Sequence, residues 1–159
     1  MSLLRLALGL ASCGALALTA APVFAGDPPF EVTASKHRDG PYLATTQSVN
    51  VPIGDAKSLY WKVKHVSGGA LEMRFTDALT ESPNPKGLKI RWFKGTKEIT
   101  NEVKGSGYEF TLPNGSRKFF RARVKAVGPS DGACVVGQAD RIAPSFSDNA
   151  GFAVNGPCI

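Results

Sequence analysis

The sequence has very little histidine: its 159 residues include two. His37 lies in a polar segment beside Arg38 and Asp39, and we interpret it as a solvated turn residue. His65 falls on the inward side of a predicted strand, close to the end of that strand. We expect its ring to be buried and hydrogen-bonded to the backbone. Neither histidine is therefore a strong candidate for a catalytic base.

Catalytic and metal-binding motifs are also absent. The sequence contains no Gly-x-Ser-x-Gly elbow, phosphate-binding loop, His-Glu-x-x-His motif or calcium-binding loop. Its carboxylates are scattered, although a fold can still bring two of them together, as in glycoside hydrolases. The scattered carboxylates include Asp77, Glu81, Glu98, Glu102 and Glu109. We predict a protein that is not an enzyme and that has no catalytic residues, metal or cofactor; a small secreted hydrolase is an alternative.

Long uncharged stretches are missing after residue 25, so we predict no transmembrane segment in the remaining chain. The first 25 residues differ: Arg5 is followed by apolar sequence and then by small residues ending at Ala25. This order is typical of a secretory signal peptide. We predict cleavage after Ala25, which leaves residues 26–159 as a single domain. Retention as a membrane anchor and lipidation at Cys13, in a Leu-Ala-Ser-Cys sequence, are the alternatives.

Cysteine is scarce as well, and only Cys134 and Cys158 remain after the predicted cleavage. A cysteine pair in an exported protein is normally oxidised, and closing a loop of this length stabilises a fold by about 3 kcal/mol. If predicted strands at residues 133–139 and 151–154 are antiparallel neighbours, the two cysteines lie within disulfide distance. A zinc site is a weaker interpretation, since no histidine is nearby. We predict a disulfide and a secreted, periplasmic or cell-envelope location.

Acidic residues are outnumbered, with 13 Asp and Glu against 19 Lys and Arg, for a formal net charge of +6. Loss of Arg5 with the signal peptide lowers this charge by one. A positive balance favours an anionic envelope polymer or an acidic protein surface as the partner, although it also serves simply to keep a domain dispersed. Export disfavours nucleic acid.

Alternation of apolar and charged residues is what the sequence does contain, in short runs bounded by Gly, Pro and Asn. In residues 88–94, for example, Leu88, Ile90 and Trp92 share one face and Lys89 lies on the other. A helix would mix such charges into its apolar face, so no helix is predicted. The predicted strands are residues 30–35, 44–51, 58–66, 71–76, 88–94, 108–112, 118–127, 133–139 and 151–154. Parity places Trp61, Trp92, Phe110 and Phe120 in a shared interior.

This pattern predicts an all-β fold, an antiparallel β-sandwich of roughly seven to nine strands. Ser67-Gly68-Gly69 predicts a hairpin, and Pro113-Asn114-Gly115 predicts a turn. The succession LYWKVKHVSG, LKIRWFKG and LPNG in residues 58–127 resembles the bacterial immunoglobulin-like domains found in exported, surface and adhesion-related proteins. The resemblance implies an immunoglobulin-like sandwich in which the strand at residues 58–66 neighbours the strand at residues 117–127.

Aromatic residues must lie partly outside this sandwich, because alternation cannot bury both members of a consecutive aromatic pair. Parity points Tyr60, Phe93 and Phe119 outward. The pairing of residues 58–66 with 117–127 then gathers rings and cations on one outer face, where like charges repel unless acids or a ligand offset them. The face is predicted to comprise Tyr60, Lys62, Lys64, Phe119, Arg121, Arg123 and Lys125.

Two interpretations of this face remain open. It is either a binding surface for an anionic polymer or acidic protein, or an ordinary exterior on which Lys and Arg stems cover the rings. A carbohydrate-binding module would instead need several coplanar exposed rings without dense charge. We hypothesise an exported binding or structural domain that acts at the cell envelope. Changing both Arg121 and Arg123 to Glu should then abolish salt-sensitive retention on anionic wall material.

Overall fold

The structure is a computed structural model that describes residues 28–78 and 87–158. The predicted signal peptide at residues 1–25, with Cys13, lies outside the described residues. So does most of the proline-containing loop that the sequence predicts after residue 77. Within the described residues, no helix is long and apolar enough to cross a membrane.

Ten strands and one short helix make up the described chain. They are β1 (Phe30–Ser35), β2 (Gln47–Val49), β3 (Ala56–His65), β4 (Leu71–Asp77), β5 (Leu88–Lys94), β6 (Lys97–Glu98), α1 (Thr100–Lys104), β7 (Tyr108–Leu112), β8 (Arg117–Ala126), β9 (Ala133–Arg141) and β10 (Phe146–Val154).

The strands form two five-stranded sheets. We call the sheet with strand order β1-β3-β8-β5-β6 the front sheet and the sheet with order β2-β10-β9-β4-β7 the back sheet. Neighbouring strands are antiparallel except for β2, which runs parallel to β10. The chain passes repeatedly from one sheet to the other, so each sheet is assembled from segments distant in sequence. The predicted all-β sandwich is confirmed.

Aromatic side chains from both sheets fill the interior. Trp61, Trp92 and Phe120 point inward from the front sheet and meet Phe75 and Phe152 of the back sheet. The rings of Phe75 and Phe120 are stacked with centroids 4.0 Å apart, and those of Trp61 and Trp92 are 4.7 Å apart. Full burial of a large apolar side chain contributes about 1.5–3 kcal/mol to folding. Burial of these rings therefore contributes much of the free energy that stabilises the packing of the two sheets.

The indole N–H groups in this core are satisfied. Trp61 donates to the carbonyl of Ala150 at 2.7 Å, and Trp92 donates to the Asp77 carboxylate at 3.1 Å. Phe110, which parity also assigns to the interior, is only partly buried, because β7 is an edge strand. His65 is 3% exposed and its ring Nε2 lies 2.8 Å from the carbonyl oxygen of Gly69, which confirms its structural role.

The predicted hairpin at Ser67-Gly68-Gly69 is wrong. The chain does turn there, but β3 belongs to the front sheet and β4 to the back sheet, so the two strands do not pair. Paired glycines allow a tight reversal, and side-chain parity is the same whether the next strand lies beside the first or across the core from it. The sequence pattern therefore could not distinguish the two arrangements.

Helix α1 is absent from the sequence prediction. It spans five residues, too few to show helical periodicity, but it buries Val103, and Ile99 just before it is also buried. Their four-residue spacing places both side chains on one side of the turn. That spacing is the local signal that an alternation-based interpretation passes over.

The last two strands are longer than predicted. Residues 140–150 contain many polar side chains and were expected to form a connection, yet β9 extends to Arg141 and β10 begins at Phe146. One of these polar residues has a specific role, since the Asp148 carboxylate accepts a hydrogen bond from the backbone N–H of Val32 at 2.6 Å. Asp148 thus protects the edge strand β1, and the connection between β9 and β10 is confined to the turn at residues 142–145.

The disulfide expected from strand pairing is present. In the β9–β10 ladder Ala133 lies opposite Val154, which brings the start of one strand to the end of the other. Cys134 and Cys158 are bonded, with Cα atoms 5.4 Å apart. The bond ties the residues that follow β10 to the back sheet. A disulfide of this kind is characteristic of oxidising compartments.

Candidate binding face

The outer surface of the front sheet carries the candidate site. Strands β3 and β8 are antiparallel neighbours, and their register pairs Tyr60 with Arg121 and Lys62 with Phe119. Because alternate residues of each strand share a face, the structure places all seven residues of the sequence hypothesis on one surface. We call this surface the front face; the residues are Tyr60, Lys62, Lys64, Phe119, Arg121, Arg123 and Lys125.

Strand β5 extends the front face on the other side of β8. Its register places Lys89 opposite Lys125, Arg91 opposite Arg123, and Phe93 opposite Arg121. Two of these three cross-strand pairs join like charges, which destabilises a sheet unless something offsets the repulsion. The third pair places an arginine beside an aromatic ring.

Acidic side chains offset only part of this charge. Glu31 is 3.3 Å from the Lys64 ammonium, and Glu98 accepts hydrogen bonds from the Arg91 guanidinium, one of them at 3.0 Å from Nε. Hydrogen bonds from Arg91 and Thr100 lower the pKa of Glu98 to about 2. Within the described part of the chain, the cations left without an ion pair include Lys89, Arg123 and Lys125.

The outer surface of the back sheet has the opposite character. Among the outward positions of its described strands the charged side chains are Glu72, Arg74, Glu109 and Asp140, and Arg74 is paired with Glu109 at 3.3 Å. Asp140 accepts hydrogen bonds from Gln138 and Ser147. Positive charge is therefore concentrated on one of the two outer surfaces, which the overall composition alone does not reveal.

A groove of about 560 Å³ crosses the end of the front face nearer the start of β8. We call it the aromatic groove. Its lining comprises Arg38, Asp39, Tyr42, Tyr60, Gly95, Thr96, Phe119, Phe120 and Arg121. Residues 38–42 belong to the segment after β1, and Gly95 and Thr96 form the turn between β5 and β6. The groove therefore lies between two loops, over a floor formed by β3 and β8.

The loop that borders the groove is held in place by hydrogen bonds. Leu43 exchanges two backbone hydrogen bonds of 2.8 Å with Ala34 on β1, and the Tyr42 hydroxyl donates to the carbonyl of Arg38 at 2.7 Å. Burial raises the pKa of Tyr42, and Tyr60 and Asp39 raise it further. The hydroxyl thus remains protonated and able to donate over the physiological pH range.

Aromatic rings and cations lie close together in and beside the groove. The rings of Tyr42 and Phe119 lie 5.9 Å apart at an interplanar angle of 58°, and the Lys62 ammonium lies 5.0 Å from the Tyr42 ring centroid. The guanidinium of Arg121 lies 4.6 Å from the Phe93 ring centroid. These are cation–π distances. The Nε of Arg121 is buried and has no hydrogen-bond partner among the described protein atoms.

Alternation predicts the strand residues of the site but not its loop residues. Outside the predicted strands, where alternation carries no information, lie Arg38, Asp39, Tyr42, Gly95 and Thr96. Tyr42 gave the one usable signal, because a large aromatic residue in a polar loop needs a surface to cover. Its position over β3 and β8 could not be inferred without knowing the path of the loop.

This surface offers guanidinium and ammonium donors, aromatic rings and one carboxylate in the groove, that of Asp39. No group of three or more His, Cys, Asp and Glu side chains within residues 28–78 and 87–158 could hold a metal ion.

No protein-family model and no curated protein matches the chain. Among solved structures, it is similar to a family 123 glycoside hydrolase from Clostridium perfringens, with 13% identity and a TM-score of 0.43 over 80% of this chain and 27% of that one. It is also similar to the PapD-like domain 7 of human CEP192, with 7% identity and a TM-score of 0.44 over 87% and 96% of the two chains.

A third similarity is to BslA, a bacterial hydrophobin, with 12% identity and a TM-score of 0.41 over 83% of this chain and 98% of that one. The chain spans about a quarter of the length of the glycoside hydrolase (27%). At these identities and TM-scores, none of the three indicates a function for this protein.

Proposed function

We propose that this protein is an exported, non-enzymatic binding domain of the bacterial immunoglobulin-like type, which acts at the cell envelope by holding an anionic polymer on its front face. The observation that carries the proposal is the set of cross-strand like-charge pairs, Lys89 with Lys125 and Arg91 with Arg123, in which only Arg91 has an acidic partner, Glu98, among the described residues. An anionic ligand would offset the repulsion within these pairs. Its binding free energy should therefore be more favourable than that of binding to a single isolated surface cation.

The geometry of β8 favours a linear polymer over a compact acidic protein. Outward residues on one strand are about 6.8 Å apart, so the row from Arg117 to Lys125 is about 27 Å long. Four of the five side chains in this row are cationic, and Phe119 is the exception. A regular row of charges matches a ligand with regularly repeated anions.

Export is supported by the Cys134–Cys158 disulfide together with the signal-peptide pattern of residues 1–25. The proposed absence of catalysis is supported by the aromatic groove, where Asp39 is the one carboxylate among the lining residues. Hydrolysis of a glycosidic bond ordinarily needs two carboxylates on either side of the scissile bond. A secreted hydrolase is therefore the less favoured function.

Retention of the mature domain on purified anionic envelope polymer, measured against salt concentration, tests the proposal. Arg123→Glu should weaken retention about 30-fold at low salt, taking about 1 kcal/mol for each unit of charge near an anionic surface. Arg141→Glu makes the same change in net charge on the back sheet and should have little effect. Arg121→Glu with Arg123→Glu should abolish retention, although Arg121 also contacts Phe93 and its loss can perturb folding.

Equal retention of the Arg123→Glu and Arg141→Glu variants would show that binding depends on net charge and not on the front face. Insensitivity of the unmodified domain to salt would contradict the electrostatic basis altogether. Thermal unfolding of each variant separates lost binding from lost structure.

A further inference from the structure

We infer that the aromatic groove is a subsite for one carboxylate-bearing sugar residue, so that the ligand of the front face is an acidic polysaccharide. The inference rests on the proposed function, since a polymer lying along β8 would pass through the groove. It goes further by assigning the repeating unit of the polymer to a chemical class.

Phe119 offers the ring surface. It is 45% exposed, whereas Phe120, the next residue on β8, is buried, and the Tyr42 ring centroid lies 5.9 Å from that of Phe119. The 58° angle between the two rings rules out a flat platform for a row of sugars. The Tyr42 and Phe119 rings instead form a cleft for a single sugar. The apolar C–H face of that sugar can contact one aromatic ring, and the edge of the sugar can contact the other. The backbone contacts of Leu43 hold this cleft in place before a ligand arrives, which lowers the entropic cost of binding.

Arg121 offers the charge. Its guanidinium lies 4.6 Å from the Phe93 ring centroid, and its Nε is buried with no hydrogen-bond partner among residues 28–78 and 87–158. The Arg121 side chain as a whole is only partly buried and lines the groove, so an incoming acceptor can reach it. A carboxylate fits a guanidinium with two parallel hydrogen bonds, which an ammonium group cannot provide. Arg121 is therefore suited to a carboxylate on a ligand in the groove.

Asp39 supplies the discrimination. Its carboxylate lines the same groove. It would repel a ligand whose whole groove-facing surface is negatively charged. It can, however, accept hydrogen bonds from hydroxyl groups. A ligand that presents both hydroxyls and one carboxylate suits the pair Arg121 and Asp39, whereas a continuous chain of phosphates does not. The groove volume of about 560 Å³ falls within the range of small-ligand sites.

Binding of three polymers to the mature domain tests this subsite: polygalacturonate, whose every sugar carries a carboxylate; polyphosphate, which has charge without sugar; and dextran, which has sugar without charge. Calorimetric titration at equal charge concentration should give tighter binding of polygalacturonate than of polyphosphate, and no measurable binding of dextran. Phe119→Ala should weaken polygalacturonate about tenfold, a typical cost of removing one aromatic contact, and should leave polyphosphate almost unchanged.

Two further variants separate the subsite from the charged face. Arg121→Lys keeps the charge and should reduce the preference for polygalacturonate over polyphosphate. Arg123→Glu, outside the groove, should weaken both polyanions equally. Polyphosphate that binds as tightly as polygalacturonate, or an unchanged polygalacturonate affinity in Phe119→Ala, overturns the subsite and leaves the anion-binding face intact. Failure of both polyanions to bind overturns the subsite and the proposed function together.

Discussion

At the scale of single residues, alternation predicts some positions in the core and misses others. Parity identified Trp61, Trp92 and Phe120 as core residues, because each lies well inside a strand whose two faces differ in polarity. It could not identify Gly137, which also points into the core. An added Cβ at Gly137 would lie 2.6 Å from the Phe75 ring and 2.8 Å from the Trp61 ring. The need for glycine there comes from rings on two other strands, which the local sequence does not reveal.

Gly137→Ala should therefore destabilise the fold by about 1–3 kcal/mol, the usual cost of overpacking a well-filled core. Urea unfolding monitored by tryptophan fluorescence measures this loss directly. Gly69→Ala is the matched control, because a Cβ there meets nothing within 4 Å and the residue does not need a positive φ. Equal stability of the two variants would mean that the core around Trp61 is looser than the structure shows.

The lowered pKa of Glu98 predicts that the stability of the fold depends on pH. Its pKa, lowered to about 2 by hydrogen bonds from Arg91 and Thr100, lies below its ordinary value of 4.5. The folded state therefore gains stability from ionised Glu98 above about pH 4.5, and this gain is lost as the pH falls towards 2. A carboxyl NMR titration should place the Glu98 midpoint near 2 in the unmodified domain and nearer 4.5 in Arg91→Gln. An unshifted midpoint in the unmodified domain would rule out the pair as a structured contact.

At the scale of strands, the sequence does not always predict which strands are neighbours or which residues cover the edge of a sheet. The neighbours β3 and β8 were predictable through a family resemblance, but the partner sheet of β4 was not, since the glycine turn after β3 fits both arrangements. Alternation does not predict the start of β10, because the role of its polar residue Asp148 depends on a distant strand. Asp148 covers the edge of β1 by accepting the Val32 N–H, a contact across 116 positions in the chain.

Asp148→Ala should expose that edge and lower the free energy of unfolding by about 1–3 kcal/mol, because a partly buried N–H loses its acceptor. Asp148→Asn keeps a side-chain oxygen and should recover most of the loss. Hydrogen exchange at the Val32 amide reports the change locally: it should accelerate in the alanine variant and remain slow in the asparagine variant. Equal exchange in both variants would show that the edge is protected by other means.

At the scale of the whole molecule, the fold is stabilised by the Cys134–Cys158 disulfide, which the sequence predicts. With the cysteines 24 positions apart, replacing both Cys134 and Cys158 with Ser should reduce the stability of the fold by about 3 kcal/mol, chiefly by releasing the unfolded chain. Reversible unfolding in guanidinium, compared with the unmodified domain under reducing and non-reducing conditions, tests this value. The reduced unmodified domain should match the double variant, and a mismatch would point to an effect of the serines themselves.

The segregation of charge between the two outer surfaces has one more consequence. A slab that is positive on one broad side and acidic on the other behaves as an electric dipole directed through its thickness. Near a negatively charged layer it would settle flat, with β8 downward and the side bearing Glu72 and Asp140 turned to the medium. Bound in this orientation, the protein would present to the medium the surface whose outward strand charges are three carboxylates and one arginine.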